Sequence, residues 1–397
     1  MRLLQINVTA NWGSTGKIAE EIGNLAIEQG WESWIAYGRG KPKSSSNLIR
    51  VGNDRDMKIH GIQSRLFDNH GLASQRATKE FIRQIRVIKP TLIHLHNIHG
   101  YYLYYPALFT FLKEYGAPVV WTLHDCWAFT GHCAYYDYAK CLKWQTSCYD
   151  CPQKRSYPAS IWLDRSEKNF MAKKKAFLGV RNITLVPVSE WLRGELAKSF
   201  LSGYHARTIH NGIDLSVFTL SQVSDRDEKR KVILGVANVW DKRKGLEEFV
   251  KLRRLLSEEY LIILVGLSQK QISTLPAGIT GIRRTENVRQ LADLYSMADV
   301  FVNPTLEDNF PTTNLEALAC GTPVITYQTG GSPEAIDDKT GIVVPYRDVE
   351  TLAAKVKSAC ESSTFISGNC RQRAESLFDK HKAFKEYINL YKTLLNI

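Results

Sequence analysis

No stretch of this chain is apolar for long enough to cross a bilayer. Even Tyr101 to Leu112 spans only about half of the roughly 20 residues a membrane helix needs, and Pro106 interrupts it. The first residues, Met1-Arg2-Leu3-Leu4-Gln5-Ile6-Asn7-Val8, read as a strand rather than as a secretory signal, so the expected location is the cytoplasm. There is no internal repeat, which argues against a solenoid. No tract has the composition of a disordered segment. No recognised nucleic-acid motif accompanies the basic residues, which are scattered rather than clustered.

What is present is a globular composition, 44% apolar and 23% charged over 397 residues. That length suits two domains, each large enough to bury a core without covalent staples. The formal net charge of +12 is uneven: residues 1–200 hold 27 Lys+Arg against 16 Asp+Glu, and residues 201–397 hold 25 against 24. A basic first half fits an anionic membrane face, with peripheral attachment at its inner side, an acidic acceptor, or nucleic acid; a merely soluble surface is the plain alternative.

Five of the eight cysteines fall between Cys126 and Cys151. Cys133, Cys141, Cys148 and Cys151 are spaced C-x7-C-x6-C-x2-C. In a cytoplasmic protein such a cluster holds a metal more often than it forms disulfides, and C-x-x-C is the usual zinc half-site. Structural zinc, free thiols and disulfides all stay open, with His132 as a spare ligand. Cys320, Cys360 and Cys370 suit small buried positions.

Strands and helices alternate along the first half. Strands are expected at Leu3–Val8, Trp34–Tyr37, Leu92–Leu95, Val119–Leu123 and Thr184–Val188. Helices are expected at about Lys17–Gln29, Met57–Phe67, Thr78–Lys89, Glu167–Leu178 and Glu190–Lys198. An irregular insert, 124–162, carries the cysteines. After a polar stretch, Ser221–Lys231, read as a linker, the runs Val232–Val236, Leu261–Val265, Val300–Val302 and Pro323–Thr326 suit buried parallel strands. Helices at Leu246–Leu256 and Val288–Met297 lie between them. The expected fold is therefore α/β, two Rossmann-like doubly wound domains facing a central cleft. The divisions are 1–210, 211–379 and a last helix, 380–397, returning to the first domain.

The chemistry concentrates at Asp308-Asn309-Phe310-Pro311-Thr312-Thr313-Asn314-Leu315-Glu316. Two carboxylates stand eight positions apart around a turn that leads into a helix. Between them the amides near Thr312, Thr313 and Asn314 face outward at a helix N-terminus, a site for an anion flanked by acceptors for hydroxyls. A sugar nucleotide offers both, a diphosphate and polyols; a capped helix behind a Pro turn is the plain reading. Gly13-Ser14-Thr15-Gly16-Lys17 is not a Walker A loop, because Asn11 and Ile18 stand where Gly and Ser/Thr are required. It remains a glycine turn able to approach a phosphate. His124, at the end of the Val119–Leu123 strand, points into the expected cleft. His94 and His96 share one strand face, where they would shape an acceptor pocket.

The Asp308–Glu316 segment resembles the acidic-x7-acidic signature of the retaining GT-B glycosyltransferases of family 4, with Asp in place of the usual Glu. Asn211-Gly212-Ile213-Asp214 is similar to that family's N-G-[IV]-D turn, Lys244-Gly245 to its pyrophosphate-binding basic residue, and Gly330-Gly331-Ser332-Pro333-Glu334 to a further loop. Asn238 stands where the family usually has Arg, and Arg243 could supply that charge. Trp121-Thr122-Leu123-His124-Asp125-Cys126-Trp127 and the Cys-rich insert resemble the colanic-acid and capsule transferases. The resemblance implies transfer of a hexose-type sugar from a nucleoside diphosphate to a glycan or lipid-linked acceptor, with retention and without a catalytic metal. It implies His124, Asp308 and Lys244 near the reacting atoms. Gly13, Gly16, Asn238, Arg243, Lys244, Asn309, Phe310, Pro311, Thr312, Thr313, Asn314 and Glu316 would then hold the donor. The other readings are a GT-B sugar-nucleotide epimerase, a non-catalytic zinc-bearing nucleic-acid binder and a pseudoenzyme. Asp54-Arg55-Asp56 and Asp225-Arg226-Asp227 read as solvated loops rather than metal sites.

Overall fold

Leu92-Ile93-His94-Leu95 and Val119-Val120-Trp121-Thr122-Leu123 are apolar at nearly every position, as strands covered on both faces must be. In the computed structural model they pair in parallel at the middle of a sheet. The structure describes residues 1–221, 230–361 and 364–397. These divide into two compact units, Met1–Ile209 with Phe384–Ile397, and His210–Ala383.

The first unit carries β1 (Arg2–Ile6), β2 (Glu32–Tyr37), β3 (Asn47–Arg50), β4 (Leu92–Leu95), β5 (Val119–Leu123), β6 (Ile183–Pro187) and β7 (His205–Ala206). They form one parallel sheet in the order β3-β2-β1-β4-β5-β6-β7. The helices are α1 (Gly13–Glu28), α2 (Asp54–Phe67), α3 (Gln75–Ile88), α4 (Tyr105–Tyr115), α5 (Ser166–Phe177) and α6 (Glu190–Leu196). Phe109 of α4, Trp121 of β5 and Phe177 of α5 interlock with ring centroids 4.5–5.4 Å apart, in the tilted and edge-on arrangements aromatic quadrupoles favour.

The second unit carries β8 (Lys231–Val236), β9 (Tyr260–Val265), β10 (Ile279–Ile282), β11 (Val300–Asn303), β12 (Val324–Tyr327) and β13 (Gly341–Val344), parallel in the order β10-β9-β8-β11-β12-β13. Its helices are α7 (Leu246–Leu255), α8 (Gln269–Ile272), α9 (Val288–Met297), α10 (Thr312–Ala319), α11 (Val349–Glu361) and α12 (Ser367–Leu377). The last helix, α13 (Lys380–Leu395), begins in this unit and ends in the first, where Tyr391 bonds His94 and Tyr387 accepts from Thr122.

Several expectations need correction. Four strands not expected from the sequence, β3, β7, β10 and β13, occupy the four sheet edges. Three of them are very short or interrupted by polar residues, whereas β13, Gly341-Ile342-Val343-Val344, was missed although it is apolar throughout. Helix α4 was hidden by Pro106, which stands in its first turn, where a missing N–H costs nothing. Helix α1 starts at Gly13, not near Lys17: a Cβ on Gly16 would lie 2.7 Å from Thr9 Oγ1, so glycine permits a close contact that outweighs its poor helix propensity. Ser221–Lys231 lies within the second unit, and its residues 222–229 are outside the described residues, as is Asp225-Arg226-Asp227. Asp54-Arg55-Asp56 opens α2, where Asn53 and Asp56 form a capping box.

Candidate functional site

In the second unit β8 lies between β9 and β11, so the connections leaving it diverge and open a crevice at the strand carboxyl ends. Three loops meet there, following β8, β11 and β12, and glycines set their spacing. Gly245 has φ +76°, and a Cβ on it would come within 2.1 Å of the Pro304 carbonyl oxygen. Gly330 has φ +52°, and its Cβ would sit 1.7 Å from the Asp308 carbonyl oxygen, which accepts from the Gly331 amide at 3.2 Å. The Leu306 amide donates to the Arg243 carbonyl at 2.6 Å. No other residue type allows this approach.

The stitched loops bring Lys244 and Asp308 into an ion pair, with side chains 26% and 16% exposed. On α10, Glu316 accepts from the Tyr295 hydroxyl at 2.8 Å. Pro311 offers the first turn of α10 no side-chain cap, so the amides at Thr312 and Thr313 rely on other partners. Arg243 turns back on its own loop: Nε and Nη2 lie 3.2 and 3.0 Å from Asp241, and Nη1 donates to the Glu307 carbonyl at 3.4 Å. Asn238 is exposed in the loop after β8.

Some residues expected to hold the donor have buried side chains that pack within this unit. Phe310 is 4% exposed, its ring 4.7 Å from His210 and 5.9 Å from Phe378. Asn309 is buried as well. Asn314 accepts from Asn303 at 2.8 Å and donates to the Ser332 carbonyl and hydroxyl at 3.1 and 3.0 Å. Thr326 completes the network, 2.6 Å from Ser332. These buried polar groups are satisfied by one another and fix α10 against the loop after β12. Two contributors carried no local signal. Tyr295 lies on α9, and the pairing of Glu334 with His210, 3.0 Å, joins distant segments. Only the Gly330-Gly331-Ser332-Pro333-Glu334 loop was visible.

In the first unit the sheet changes direction between β1 and β4. Gly13 and Gly16 stand in the first turn of α1, with Gly13 exposed and Gly16 buried. His124 follows β5 directly; its Nε2 is 3.3 Å from His96 Nδ1, and burial holds its imidazole down to about 4. His96 is buried and bonded to Gln5. His94 does not line an acceptor pocket: it is buried between Thr122, 2.8 Å away, and Tyr391 of α13, 2.5 Å away. A further buried pair, His99 and Asp125, is joined at 2.9 Å, and the Trp127 amide donates to the same carboxylate. All eight cysteines are free thiols, and Cys133, Cys141, Cys148 and Cys151 line one small cavity.

Two family models match the chain, "Glycosyltransferase Family 4" over residues 16–217 and "Glycosyl transferases group 1" over residues 230–362. The chain is 25% identical to the putative colanic acid biosynthesis glycosyl transferase WcaC of Escherichia coli (strain K12), covering 99% of this chain and 100% of that one. Among solved structures it resembles the sucrose-phosphate synthase of Thermosynechococcus elongatus, with a TM-score of 0.72 at 19% identity over 100% and 99% of the two chains. It also resembles Anabaena Alr3699/HepE, solved in complex with UDP, with a TM-score of 0.68 at 13% identity over 99% and 100%. The shared fold is GT-B, two parallel-sheet α/β domains.

Proposed function

The chain belongs to glycosyltransferase family 4, and from that premise we propose that it moves a sugar from a nucleoside diphosphate to a hydroxyl of a glycan or lipid-linked glycan in polysaccharide synthesis. The anomeric configuration is retained. The observation that carries the donor reading is the Lys244–Asp308 ion pair at the strand carboxyl ends, eight residues before Glu316. The likeness to WcaC, a colanic acid biosynthesis glycosyl transferase by its name, supports the polysaccharide setting, and the UDP complex of HepE supports a nucleotide donor.

Breaking the glycosyl–phosphate bond leaves positive charge on the ring and negative charge on the departing diphosphate. Lys244, released from Asp308 by the incoming phosphates, neutralises the leaving group, helped by the first-turn amides of α10. Each such preorganised donor is worth about 3–4 kcal/mol at the transition state. Asp308, freed in the same exchange, accepts from the sugar's hydroxyls. Glu316, held by Tyr295, accepts from the ribose hydroxyls. No side chain is assigned as a dedicated base; the departing phosphate oxygen takes the acceptor proton. In the first unit, the imidazole of His124 is held neutral by burial and can accept a hydrogen bond from a ligand hydroxyl.

An acceptor on a lipid would place the enzyme at an anionic membrane face. The +11 charge of residues 1–200 supports this, as does an exposed apolar run, Ile161, Trp162 and Leu163, beside the exposed Ile62 and Phe67. The Ile161 amide donates to the Arg65 carbonyl at 2.8 Å, which sets the run against the end of α2.

The test is a thermal-shift screen of UDP, GDP and their sugars, followed by transfer from the stabilising donor to a glycan acceptor. Glu316→Ala and Lys244→Ala should each keep the fold and lose transfer by about a hundredfold or more. Wild-type turnover in either variant sinks the assignment. Consumption of the nucleotide sugar with no acceptor present would favour an epimerase instead.

A further inference from the structure

The insert that follows β5 has almost no regular structure, only one turn of 3-10 helix at Lys143–Gln145. Irregular backbone needs something other than a hydrogen-bonded ladder to hold it. At its centre, Cys133, Cys141, Cys148, Cys151 and His132 line a cavity with about 10 Å³ of free space, room for a single small body and not for a substrate.

Three features of the lining point to a ligand. His132 has a side chain 1% exposed, its Nδ1 is 2.5 Å from an Asp68 carboxylate oxygen, and its buried Nε2 has no partner. A carboxylate behind one ring nitrogen fixes the tautomer so that the other presents a lone pair; this is how metal-binding histidines are oriented. Asp68 is itself held, accepting from the Arg165 amide at 2.7 Å. A backbone amide is aimed at one of the sulfurs, from Gly131 to Cys148 at 3.1 Å. Gly131 is close enough only because it lacks a Cβ, which would lie 2.1 Å from the Ser166 carbonyl oxygen. Finally, Cys133 and Cys151 lie close enough for each thiol to shift the other's ionisation. As the side chains stand, no group of three or more His, Cys, Asp or Glu among the described residues is set to hold a metal ion. Zinc binding would therefore require the lining side chains to turn onto a common centre.

We propose that this cavity binds one structural zinc ion, held by Cys148 and Cys151 together with two of His132, Cys133 and Cys141. Each cysteine that ligates gives up its thiol proton to solvent and binds as a thiolate, and His132 would bind through Nε2. A single ion fits the free space. The ion ties together segments from Gly131 to Gln153, and through His132 and Asp68 it reaches the end of α2. It takes no part in transfer.

The experiment is elemental analysis of the full chain, purified under reducing conditions without chelator from cells supplied with zinc. Roughly one zinc per chain is expected, retained on gel filtration and released when a mercurial caps the thiols. Reconstitution of the apo-protein with cobalt(II) should give an intense thiolate-to-cobalt band and the visible bands of a tetrahedral site. Cys148→Ser and Cys151→Ser should lose the metal, while Cys360→Ser, outside the cluster, keeps it. If the serine variants do not fold, the cobalt spectrum of the unaltered chain decides alone. A zinc content below about a tenth per chain with no cobalt spectrum overturns the proposal. So does a Cys133–Cys151 disulfide as the resting state in a non-reducing peptide map.

Discussion

The ion pair between Lys244 and Asp308 lets two opposite charges sit together in a half-buried site. Each neutralises the other, and in the proposed reaction a diphosphate and a sugar displace them both. Glu316 is different, because its partner is the neutral hydroxyl of Tyr295, which is fully buried. Tyr295→Phe should keep the fold and the charge of Glu316 but lose its orientation. We expect nucleotide affinity to fall about tenfold, one hydrogen bond to a charged group, read by calorimetry with UDP or GDP. Unchanged affinity would remove Tyr295 from the site. Buried histidines give a second prediction. His60 accepts from the Gly71 amide at its Nε2 and is 1% exposed, and burial lowers it from 6.5 to about 4. His124 is lowered equally, and His70, His94 and His96 are held well below the usual range by burial. Because the folded values lie below the unfolded ones, the unfolded chain takes up protons first as pH falls. Stability should therefore drop from about pH 6.5 towards 4, by about 3 kcal/mol from His60 alone. His132, raised by its bond to Asp68 despite burial, acts in the opposite sense but is one group against five. Thermal midpoints at pH 7.5 and 5 test this; a midpoint at pH 5 equal to or above that at 7.5 would refute it.

At the scale of elements, what the sequence revealed depended on burial. Central strands such as β4 and β5 were legible because both faces are covered. The edges β3, β7 and β10 were not, because a strand paired on one side tolerates polar and short sequences; β13 was missed although it is apolar. Helix α4 was obscured by a proline that only its place in the first turn makes harmless. The loops of the second unit depend on glycine geometry, which can be tested. Gly330→Ala would force a side chain at φ +52° into the Asp308 carbonyl, so it should cost about 1–3 kcal/mol and disturb Asp308 with it. Gly30 also has positive φ, +76°, but nothing lies within 4 Å of its Cβ position. Gly30→Ala should thus cost less and leave transfer unchanged. Equal loss of activity in both variants would mean that the loop after β12 does not position Asp308.

For the whole molecule, charge and exposed apolar side chains lead to one more expectation. The unaltered chain should sediment with vesicles rich in anionic lipid, and less so with zwitterionic ones or as salt rises. Trp162→Ala should weaken this binding about tenfold without affecting donor affinity, since Trp162 is 71% exposed. Equal sedimentation with both vesicle types would exclude the anionic surface. The order of motifs from Gly13 to Glu334 determined, without coordinates, the two parallel-sheet domains and the family, because buried strands and glycine turns leave periodic and local marks. Pairings between distant segments had no such mark. That Lys244 meets Asp308, that Tyr295 holds Glu316, that His94 lies under α13 and that Asn314 is scaffold were decided only by folding. A hydrogen bond between residues far apart in the chain depends on where each backbone has been carried, and no local pattern of side chains records that.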